Sequence, residues 1–204
     1  MLKIAVFVSG RGSNLQAILD AKSSGFLNVE VAAVFTDRPD SGAVERAKGN
    51  SIPVWVICKE KKSGSVSNEE LSGLLGKLKI DLIVLAGFLK LVPESVIDHF
   101  ENKIINIHPA LLPSFGGKGM YGMNVHRAVF NSSAKITGPT VHFVDKLYDN
   151  GKIIAQRAVD ISDVNSPEEI AERVLKVEHE LLPFVIKKIE EGKVKTINER
   201  VVVF

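Results

Sequence analysis

The sequence predicts an α/β fold built on an open, mostly parallel, twisted sheet with flanking helices. Short, nearly continuous apolar runs alternate with segments of helical periodicity in the first half of the chain, as is typical of parallel strands covered on both faces. Beyond residue 136 the strand-like runs follow one another without helices, so we expect part of the sheet there to be antiparallel. No composition break or internal repeat divides the 204 residues, which favours a single domain over 1–204.

The first element is an apolar strand over residues 2–8, followed at once by the glycine loop Ser9-Gly10-Arg11-Gly12-Ser13-Asn14. Apolar residues then recur at helical spacing from Leu15 onward. A strand, a glycine loop and a helix bring backbone N–H groups and a helix N-terminus against an anion. The loop matches neither the dinucleotide fingerprint nor the P-loop, so a tight turn with an N-cap remains the alternative.

We expect three further strands, over 29–35, 53–57 and 81–87, and a short helix over 44–48. Residues 59–67 are polar and rich in glycine and serine, which indicates an exposed, mobile loop. Ser67 and Glu70 have the spacing of a capping box that opens a leucine-rich helix.

An apolar loop, Phe88-Leu89-Lys90-Leu91-Val92-Pro93, follows the strand over 81–87. A flat hydrophobic ligand could bind such a loop, outside the carboxyl ends of a parallel sheet. The alternative is a loop that packs on its own sheet. Pro93 could open a helix that runs through Phe100.

The stretch Ile104-Ile105-Asn106-Ile107-His108-Pro109 is an apolar run with an amide and an imidazole two positions apart. Successive side chains of a strand alternate between faces, so Asn106 and His108 should point the same way at the end of a buried strand. An amide donor beside a base that titrates near neutrality is a common catalytic pairing. On spacing alone, a satisfied polar pair that closes a strand is an equally good interpretation.

The remainder of the chain combines long loops with strands and one long helix. Residues 109–123 hold four glycines and two prolines, which indicates an irregular, mobile loop. Ser166 and Glu169 have the spacing of a second capping box. The expected later elements are a helical turn over 126–130, strands over 137–144 and 153–159, a turn-rich loop over 145–151, a helix over 167–191 interrupted or kinked near Pro183, and a strand or hairpin within 194–204.

Composition narrows the class of protein. The formal net charge is +2, from 26 basic and 24 acidic residues, which gives no electrostatic footprint for nucleic acid. The single cysteine, Cys58, excludes an internal disulfide and fits a reducing compartment. No apolar run is long enough to span a bilayer, and the chain opens on a strand rather than on a signal peptide. We therefore expect a cytoplasmic protein with no nucleic-acid or membrane partner.

Polar side chains that could carry chemistry gather at strand ends and in the loops after them: Asn106, His108, His142, Asp145 and Asp149. Two histidines and two carboxylates could ligate zinc or iron, but none of the usual ligand spacings is present, so we expect no metal. A serine nucleophile is poorly supported because there is no G-x-S-x-G elbow. The remaining chemistry is non-covalent: an amide stabilises an oxyanion, a histidine moves a proton, and a carboxylate orients or charges the histidine.

Four stretches together carry a resemblance to a known family: Ser9-Gly10-Arg11-Gly12-Ser13-Asn14-Leu15-Gln16, Leu85-Ala86-Gly87-Phe88, Ile105-Asn106-Ile107-His108-Pro109-Ala110-Leu111-Leu112-Pro113 and Thr137-Gly138-Pro139-Thr140-Val141-His142-Phe143-Val144. In order and spacing the chain resembles the phosphoribosylglycinamide formyltransferase family, the folate-dependent glycinamide ribonucleotide transformylases of purine synthesis. Related formyl-transferring enzymes share the Asn-x-His and Leu-Leu-Pro parts but usually carry an extra domain. The resemblance implies a formyltransferase-like fold with a Rossmann-like N-terminal half.

The resemblance also implies roles for individual residues. Asn106, His108 and Asp149 would be catalytic, with His142 in support. The residues that would bind the ribonucleotide substrate are Arg11, Gly12, Ser13 and Asn14 at its phosphate and Glu178 from the C-terminal helix. The residues that would bind the folate are Leu89, Lys90, Leu91 and Val92, together with Asn106 and the 145–149 loop that begins at Asp145.

Two departures from the family pattern leave the local loop geometry open. Lys152 follows the glycine of Asp149-Asn150-Gly151, where the family often has proline. The loop over 115–125 is longer and richer in glycine than in many relatives. Neither departure removes a residue to which the resemblance gives a catalytic role.

The reaction implied is transfer of the formyl group of 10-formyltetrahydrofolate, the co-substrate, to the amine of glycinamide ribonucleotide. Asn106 and His108 would stabilise the tetrahedral intermediate, and Asp149 would assist proton transfer. Two alternatives stay open: a formyltetrahydrofolate hydrolase that uses the same site, and a nucleotide-binding module without catalysis. The partners would be small molecules, and the protein a monomer or homodimer.

Overall fold

The computed structural model describes residues 1–60 and 63–204, which fall into two compact units, Met1–Ile105 and Asn106–Phe204. Lys61 and Lys62, which belong to the predicted loop over 59–67, lie outside the described residues. The single domain over 1–204 stays a prediction.

The first unit is a parallel sheet with helices between its strands. Its strands are β1 (Leu2–Val8), β2 (Val29–Thr36), β3 (Val54–Cys58), β4 (Ser65–Ser67), β5 (Leu82–Leu85) and the start of β6 (Ile104–His108). Its helices are α1 (Ser13–Ser23), α2 (Gly42–Gly49), α3 (Asn68–Lys77) and α4 (Glu94–His99). The strand order is β4-β3-β2-β1-β5-β6, and β1 pairs in parallel with both β2 and β5. The predicted mostly parallel α/β sheet is confirmed.

Strand β1 lies in the interior of this sheet, as its unbroken apolar run predicts. Residues 4–7 are fully buried, so the side chains on both faces of the strand are covered. The ring of Phe7 stacks on that of Phe35 in β2, with 4.8 Å between the ring centroids. A buried central strand fixes the loop at its carboxyl end, which is the glycine loop.

The region before α3 differs from the sequence prediction. Residues 65–67 form β4, which pairs in parallel with β3, and Val66 is buried. The exposed loop was therefore the wrong prediction for these three residues, because pairing with β3 satisfies their backbone groups. The capping box is confirmed, since Ser67 accepts from the backbone N–H of Glu70 and the Glu70 carboxylate accepts from that of Ser67.

The second unit combines an antiparallel part of the sheet with two helices. Its elements are the end of β6, α5 (Met123–Asn131), β7 (Ile136–Thr137), β8 (Thr140–Phe143), β9 (Ile153–Gln156), β10 (Val159–Asp160), α6 (Pro167–Glu190), β11 (Val194–Ile197) and β12 (Arg200–Val203). The strand order is β6-β8-β9, and the pairs β8–β9, β7–β10 and β11–β12 are antiparallel. The predicted antiparallel part and the C-terminal hairpin are confirmed.

Helix α6 differs from the prediction in two ways. It continues through Pro183, so the predicted interruption is wrong, while the alternative of a kink there stays a prediction. Its N-terminus carries half of the expected capping box: Ser166 accepts from the backbone N–H of Glu169, but the Glu169 carboxylate accepts from the backbone N–H of Asn165. The helix is held by an apolar cluster that includes residues of α5: Ala110, Val125, Val129, Ile161, Ile170 and Val174.

Among the residues that the structure describes, no helix is long and apolar enough to cross a membrane.

Candidate active site

The end of β6 brings two predicted residues against one carboxylate. Asn106 Nδ2 lies 3.5 Å from Asp149 Oδ1, and His108 Nδ1 lies 3.5 Å from Asp149 Oδ2. Both side chains therefore point the same way, as strand alternation predicts. His108 is buried, and only 11% of the Asp149 side chain is exposed, so the three groups interact in a partly desolvated environment where charges are poorly screened.

His142 fixes the orientation of the Asn106 amide. Its Nδ1 lies 2.7 Å from the carbonyl oxygen of Phe143, which can only accept, so Nδ1 carries a proton. Burial is the largest effect on His142 and lowers its pKa despite the opposing effects of the Phe143 carbonyl and Asp149, which favours the neutral ring. Nε2 is then an acceptor, and it receives an N–H of Asn106 Nδ2 at 3.1 Å.

The loop after β6 closes on His108. The ring Nε2 lies 2.8 Å from the carbonyl oxygen of Phe115 and therefore donates to it. The backbone N–H of Gly117 donates to Asp149 Oδ2 at 2.9 Å. Both ring nitrogens of His108 thus face oxygen atoms. The sequence analysis missed these two contacts because both use backbone atoms of an irregular loop.

Asp149 is held in a left-handed backbone conformation, with φ of 52°. Two residues later, a Cβ at Gly151 would lie 1.9 Å from the carbonyl oxygen of Phe143. That carbonyl accepts from the His142 ring. Glycine at position 151 therefore has a steric reason: any side chain would displace the backbone that orients both His142 and Asp149.

Asp145 shapes the loop that leads to Asp149. Its Oδ1 accepts from the backbone N–H of Leu147 at 2.8 Å, and its Oδ2 accepts from the side chain of Asn150 at 2.9 Å. Both carboxylate oxygens thus form the turn. Leu147 and Tyr148 are exposed.

Lys152, the departure from the family pattern, lies directly before β9. Its carbonyl oxygen accepts from the backbone N–H of Phe143 at 2.9 Å, next to β9. Its Nζ forms an ion pair with Glu199, between β11 and β12, at 2.5 Å. Glu199 is almost fully exposed, so this pair adds little stability.

A further histidine lies near His108. His126, in α5, is 6% exposed, and its buried Nδ1 has no hydrogen-bond partner among the described residues. Burial, together with the proximity of His108, lowers the pKa of His126 to about 4. The sequence analysis gave this residue no role, although its place directly after the glycine-rich loop was visible. Glu178 is buried in α6.

In the first unit, the glycine loop leads into α1 as predicted. Gly12 precedes the helix with φ of 75°, and a Cβ there would lie 2.8 Å from Ala43 Cα, so only glycine fits. No side chain caps the N-terminus of α1. Asn14 is buried, while Ser13 is half-buried and Arg11 is exposed. Backbone N–H groups at such a helix start favour an anion.

The apolar loop of the first unit is partly exposed. The side chains of Leu89 and Leu91 are 37% and 53% exposed, and Lys90 is exposed, whereas Val92 is buried. The backbone N–H of Leu89 donates to Ser9 Oγ at 2.9 Å, which ties this loop to the start of the glycine loop. Exposed leucines on a tethered loop are suited to an apolar ligand.

Within residues 1–60 and 63–204, no group of three or more His, Cys, Asp or Glu side chains is disposed to hold a metal ion.

The chain is similar to known proteins over most of its length. The formyl transferase family model matches residues 2–186. The chain belongs to the formyl transferase family. It is 47% identical over 195 residues to the chloroplastic phosphoribosylglycinamide formyltransferase of Arabidopsis thaliana, which covers 95% of this chain and 67% of that protein.

Two solved structures share the fold over the whole of this chain. Glycinamide ribonucleotide transformylase 1 from Symbiobacterium toebii superposes with a TM-score of 0.90 at 34% identity, covering 100% of this chain and 94% of that one. A formyltetrahydrofolate deformylase from Pseudomonas syringae pv. tomato str. DC3000 superposes with a TM-score of 0.87 at 25% identity, covering 100% of this chain and 66% of that one.

The chain is shorter than the plant relatives it matches. It spans 62% of the relative from Vigna unguiculata and 64% of that from Glycine max.

The first prediction concerns Gly151. Gly151→Ala should destabilise the protein by roughly 1–3 kcal/mol, because the added methyl group would overlap the Phe143 carbonyl. Urea unfolding measures the loss, and the NMR signals of the His142 ring should shift. Gly49→Ala is the matched control, since a Cβ there meets nothing within 4 Å. Equal stability of the two variants would contradict the steric argument.

The second prediction concerns pH. The folded-state pKa of His126, about 4, lies below its ordinary value of 6.5, so the unfolded chain binds more protons between these values. The contribution of His126 to the free energy of unfolding should therefore be fully present above pH 6.5. It should fall by roughly 3 kcal/mol as the pH drops toward 4. His126→Leu should reduce the fall measured by urea unfolding at pH 8 and pH 4.5. Curves that stay parallel to wild type would rule out a neutral buried His126.

Proposed function

We propose that this protein transfers the formyl group of 10-formyltetrahydrofolate to the amine of glycinamide ribonucleotide. The observation that carries the proposal is the contact of Asn106 and His108 with one carboxylate, Asp149, in a chain that belongs to the formyl transferase family. An amide donor, an imidazole and a carboxylate in contact are the groups that acyl transfer to an amine requires. The names of the relatives support the choice of substrates.

Asn106 would stabilise the negative charge that develops on the formyl oxygen. One of its N–H groups is committed to His142 at 3.1 Å, which holds the amide plane. The other points to Asp149 at 3.5 Å, longer than a good hydrogen bond. A substrate oxygen at a normal hydrogen-bond distance would therefore accept that N–H readily, because the contact with Asp149 that it replaces is weak.

His108 would be the second donor and Asp149 its charge partner. The Asp149 carboxylate, 3.5 Å from Nδ1, would pair with the ring when it carries the transferred proton, and the Nε2–H would be directed at the substrate. Use of Nε2 requires the carbonyl oxygen of Phe115 to give way, since it now accepts from that atom. Asp149 would also help to carry the proton from the attacking amine to the folate nitrogen, which departs as its bond to the formyl carbon breaks.

The ribonucleotide phosphate would bind at the start of α1. Gly12 allows close backbone approach, and the uncapped helix N-terminus supplies N–H donors and a favourable dipole. Ser13 and Asn14 would add side-chain contacts, and exposed Arg11 a positive charge. Glu178 would contact the ribonucleotide from α6.

When bound, 10-formyltetrahydrofolate supplies an activated formyl carbon. Exposed Leu89 and Leu91 give the apolar surface that a flat pterin requires, with Lys90 and buried Val92 in the same loop. Backbone groups of the loop that begins at Asp145 would add polar contacts, because the Asp145 carboxylate is used in the turn. No metal ion is part of the proposal.

The proposal includes a setting as well as a reaction. We expect a cytoplasmic protein with small-molecule substrates and no nucleic-acid or membrane partner, which acts as a monomer or homodimer.

A second candidate function is hydrolysis of 10-formyltetrahydrofolate, with water as the acceptor. The superposition of a formyltetrahydrofolate deformylase over the full length of this chain supports hydrolysis as the second candidate. The groups that stabilise the oxyanion would be the same, and only the acceptor would differ.

The third prediction separates these functions. Purified protein with 10-formyltetrahydrofolate should form formylated ribonucleotide only when glycinamide ribonucleotide is present, and should release little formate. Both products are measured in the same reaction by chromatography. Formate release that is equal with and without glycinamide ribonucleotide would favour the hydrolase. A protein that binds the ribonucleotide and leaves the folate unchanged would be a binding module.

The fourth prediction tests the amide. Asn106→Ala should lower kcat on the order of a hundredfold or more, because one oxyanion donor is lost. Asn131→Ala, at the end of α5, is the matched control and should keep wild-type kcat. A near-wild-type kcat for Asn106→Ala would rule out this amide as an oxyanion donor.

A further inference from the structure

The hydroxyl group of Thr140 in β8 makes every hydrogen bond available to it. Its Oγ1 donates to the carbonyl oxygen of Ala110 at 2.6 Å and accepts from the backbone N–H of Leu112 at 3.1 Å. It also accepts from Gln156 Nε2 at 2.9 Å. One donor and two lone pairs are thus all used, and the residue is fully buried.

Gln156 supplies a second connection to the same backbone. It lies directly across from Thr140 in the antiparallel β8–β9 pair. Its Nε2 donates to the carbonyl oxygen of Leu112 at 2.9 Å as well as to Thr140. Gln156 is itself exposed, so its amide reaches inward from the edge of the sheet. Together the two side chains bind three backbone groups of the turn over 110–112.

This turn connects His108 to the loop that contacts it. It begins two residues after His108 and ends three residues before Phe115, whose carbonyl accepts from the His108 ring. Thr140 also lies two residues before His142, so both side chains share one face of β8. One face of β8 therefore holds the turn after His108 through Thr140 and the Asn106 amide through His142.

We propose that Thr140 and Gln156 are positioning residues for formyl transfer: they hold the turn over 110–112 so that the His108 ring keeps its orientation. Neither side chain is assigned contact with substrate. The inference rests on the proposed function for its catalytic consequence, but the orientation of the His108 ring can be measured without turnover.

Hydrogen bonding, rather than shape, makes these residues necessary. Valine has nearly the shape of threonine but would leave the Ala110 carbonyl and the Leu112 N–H with lost partners in a buried region. The backbone would then move to regain partners. A misplacement of about 1 Å remote from the reacting atoms can cost on the order of a hundredfold in rate.

The test compares four variants in formyl-transfer kinetics. Thr140→Val should lower kcat by roughly tenfold to a hundredfold with little change in KM for either substrate. Thr140→Ser keeps the hydroxyl and should restore kcat to near wild type. Gln156→Met removes two hydrogen bonds at an exposed residue and should give an intermediate loss. Thr137→Val is the matched control, since Thr137 is equally buried but its Oγ1 has no partner among the described residues.

A second readout follows the His108 ring by ¹⁵N NMR of the protein without substrates. Thr140→Val and Gln156→Met should shift both ring nitrogens of His108, whereas Thr140→Ser and Thr137→Val should not. If Thr140→Val does not fold, Gln156→Met decides both readouts. Unchanged kcat and unchanged His108 signals would overturn the proposal, as would a loss in Thr137→Val as large as that in Thr140→Val.

The two proposals can fail separately. If the wild-type protein does not transfer formyl groups, the proposed function fails. The NMR comparison then still supports or overturns the positioning of His108 by Thr140 and Gln156.

Discussion

The carboxylate of Asp149 is the constraint on which the second unit depends. Each of its oxygens faces two polar groups: Oδ1 faces Asn106 and His142, and Oδ2 faces His108 and the N–H of Gly117. A buried carboxylate is costly unless it is paired and hydrogen-bonded, so the N–H groups of Asn106 and Gly117 also stabilise the charge that orders them. The contacts come from β6, β8 and the loop after β6, and the carboxylate makes one site out of separate segments.

The backbone around Asp149 is as specific as its side chain. A left-handed backbone conformation, such as that of Asp149, costs free energy unless the surrounding structure holds it in place. The close approach of Gly151 to the Phe143 carbonyl restricts the backbone here. The same carbonyl accepts from His142, which in turn holds Asn106. A single backbone oxygen thus couples the conformation of the aspartate loop to the orientation of the amide.

Side chains that obey a periodicity could be predicted from the sequence, and contacts through backbone atoms could not. The two-residue period of a strand correctly predicted that Asn106 and His108 point the same way. The apolar runs predicted the parallel strands and the antiparallel region. The contacts of Phe115 and Gly117 were missed because loop backbone has no periodic signal. Strand β4 was missed because its three residues read as loop, and the pairing that forms it is non-local. The Glu169 carboxylate was assigned to the N–H of Ser166, three residues before it, but it accepts from that of Asn165, four residues before it.

The three histidines in and beside this site differ in the partners of their ring nitrogens. Burial lowers the pKa of His142 and favours the neutral ring, in which Nε2 accepts from Asn106 while Nδ1 donates to a carbonyl. The lowered pKa of His126, about 4, keeps its ring neutral near pH 7. Its Nδ1 has no hydrogen-bond partner among the described residues. His108 has the carbonyl oxygen of Phe115 2.8 Å from Nε2 and Asp149 Oδ2 3.5 Å from Nδ1. Asp149 lies closer to the ring of His108, at 3.5 Å, than to that of His142, at 3.8 Å, so His108 is the histidine placed to act with this carboxylate in the proposed proton transfer.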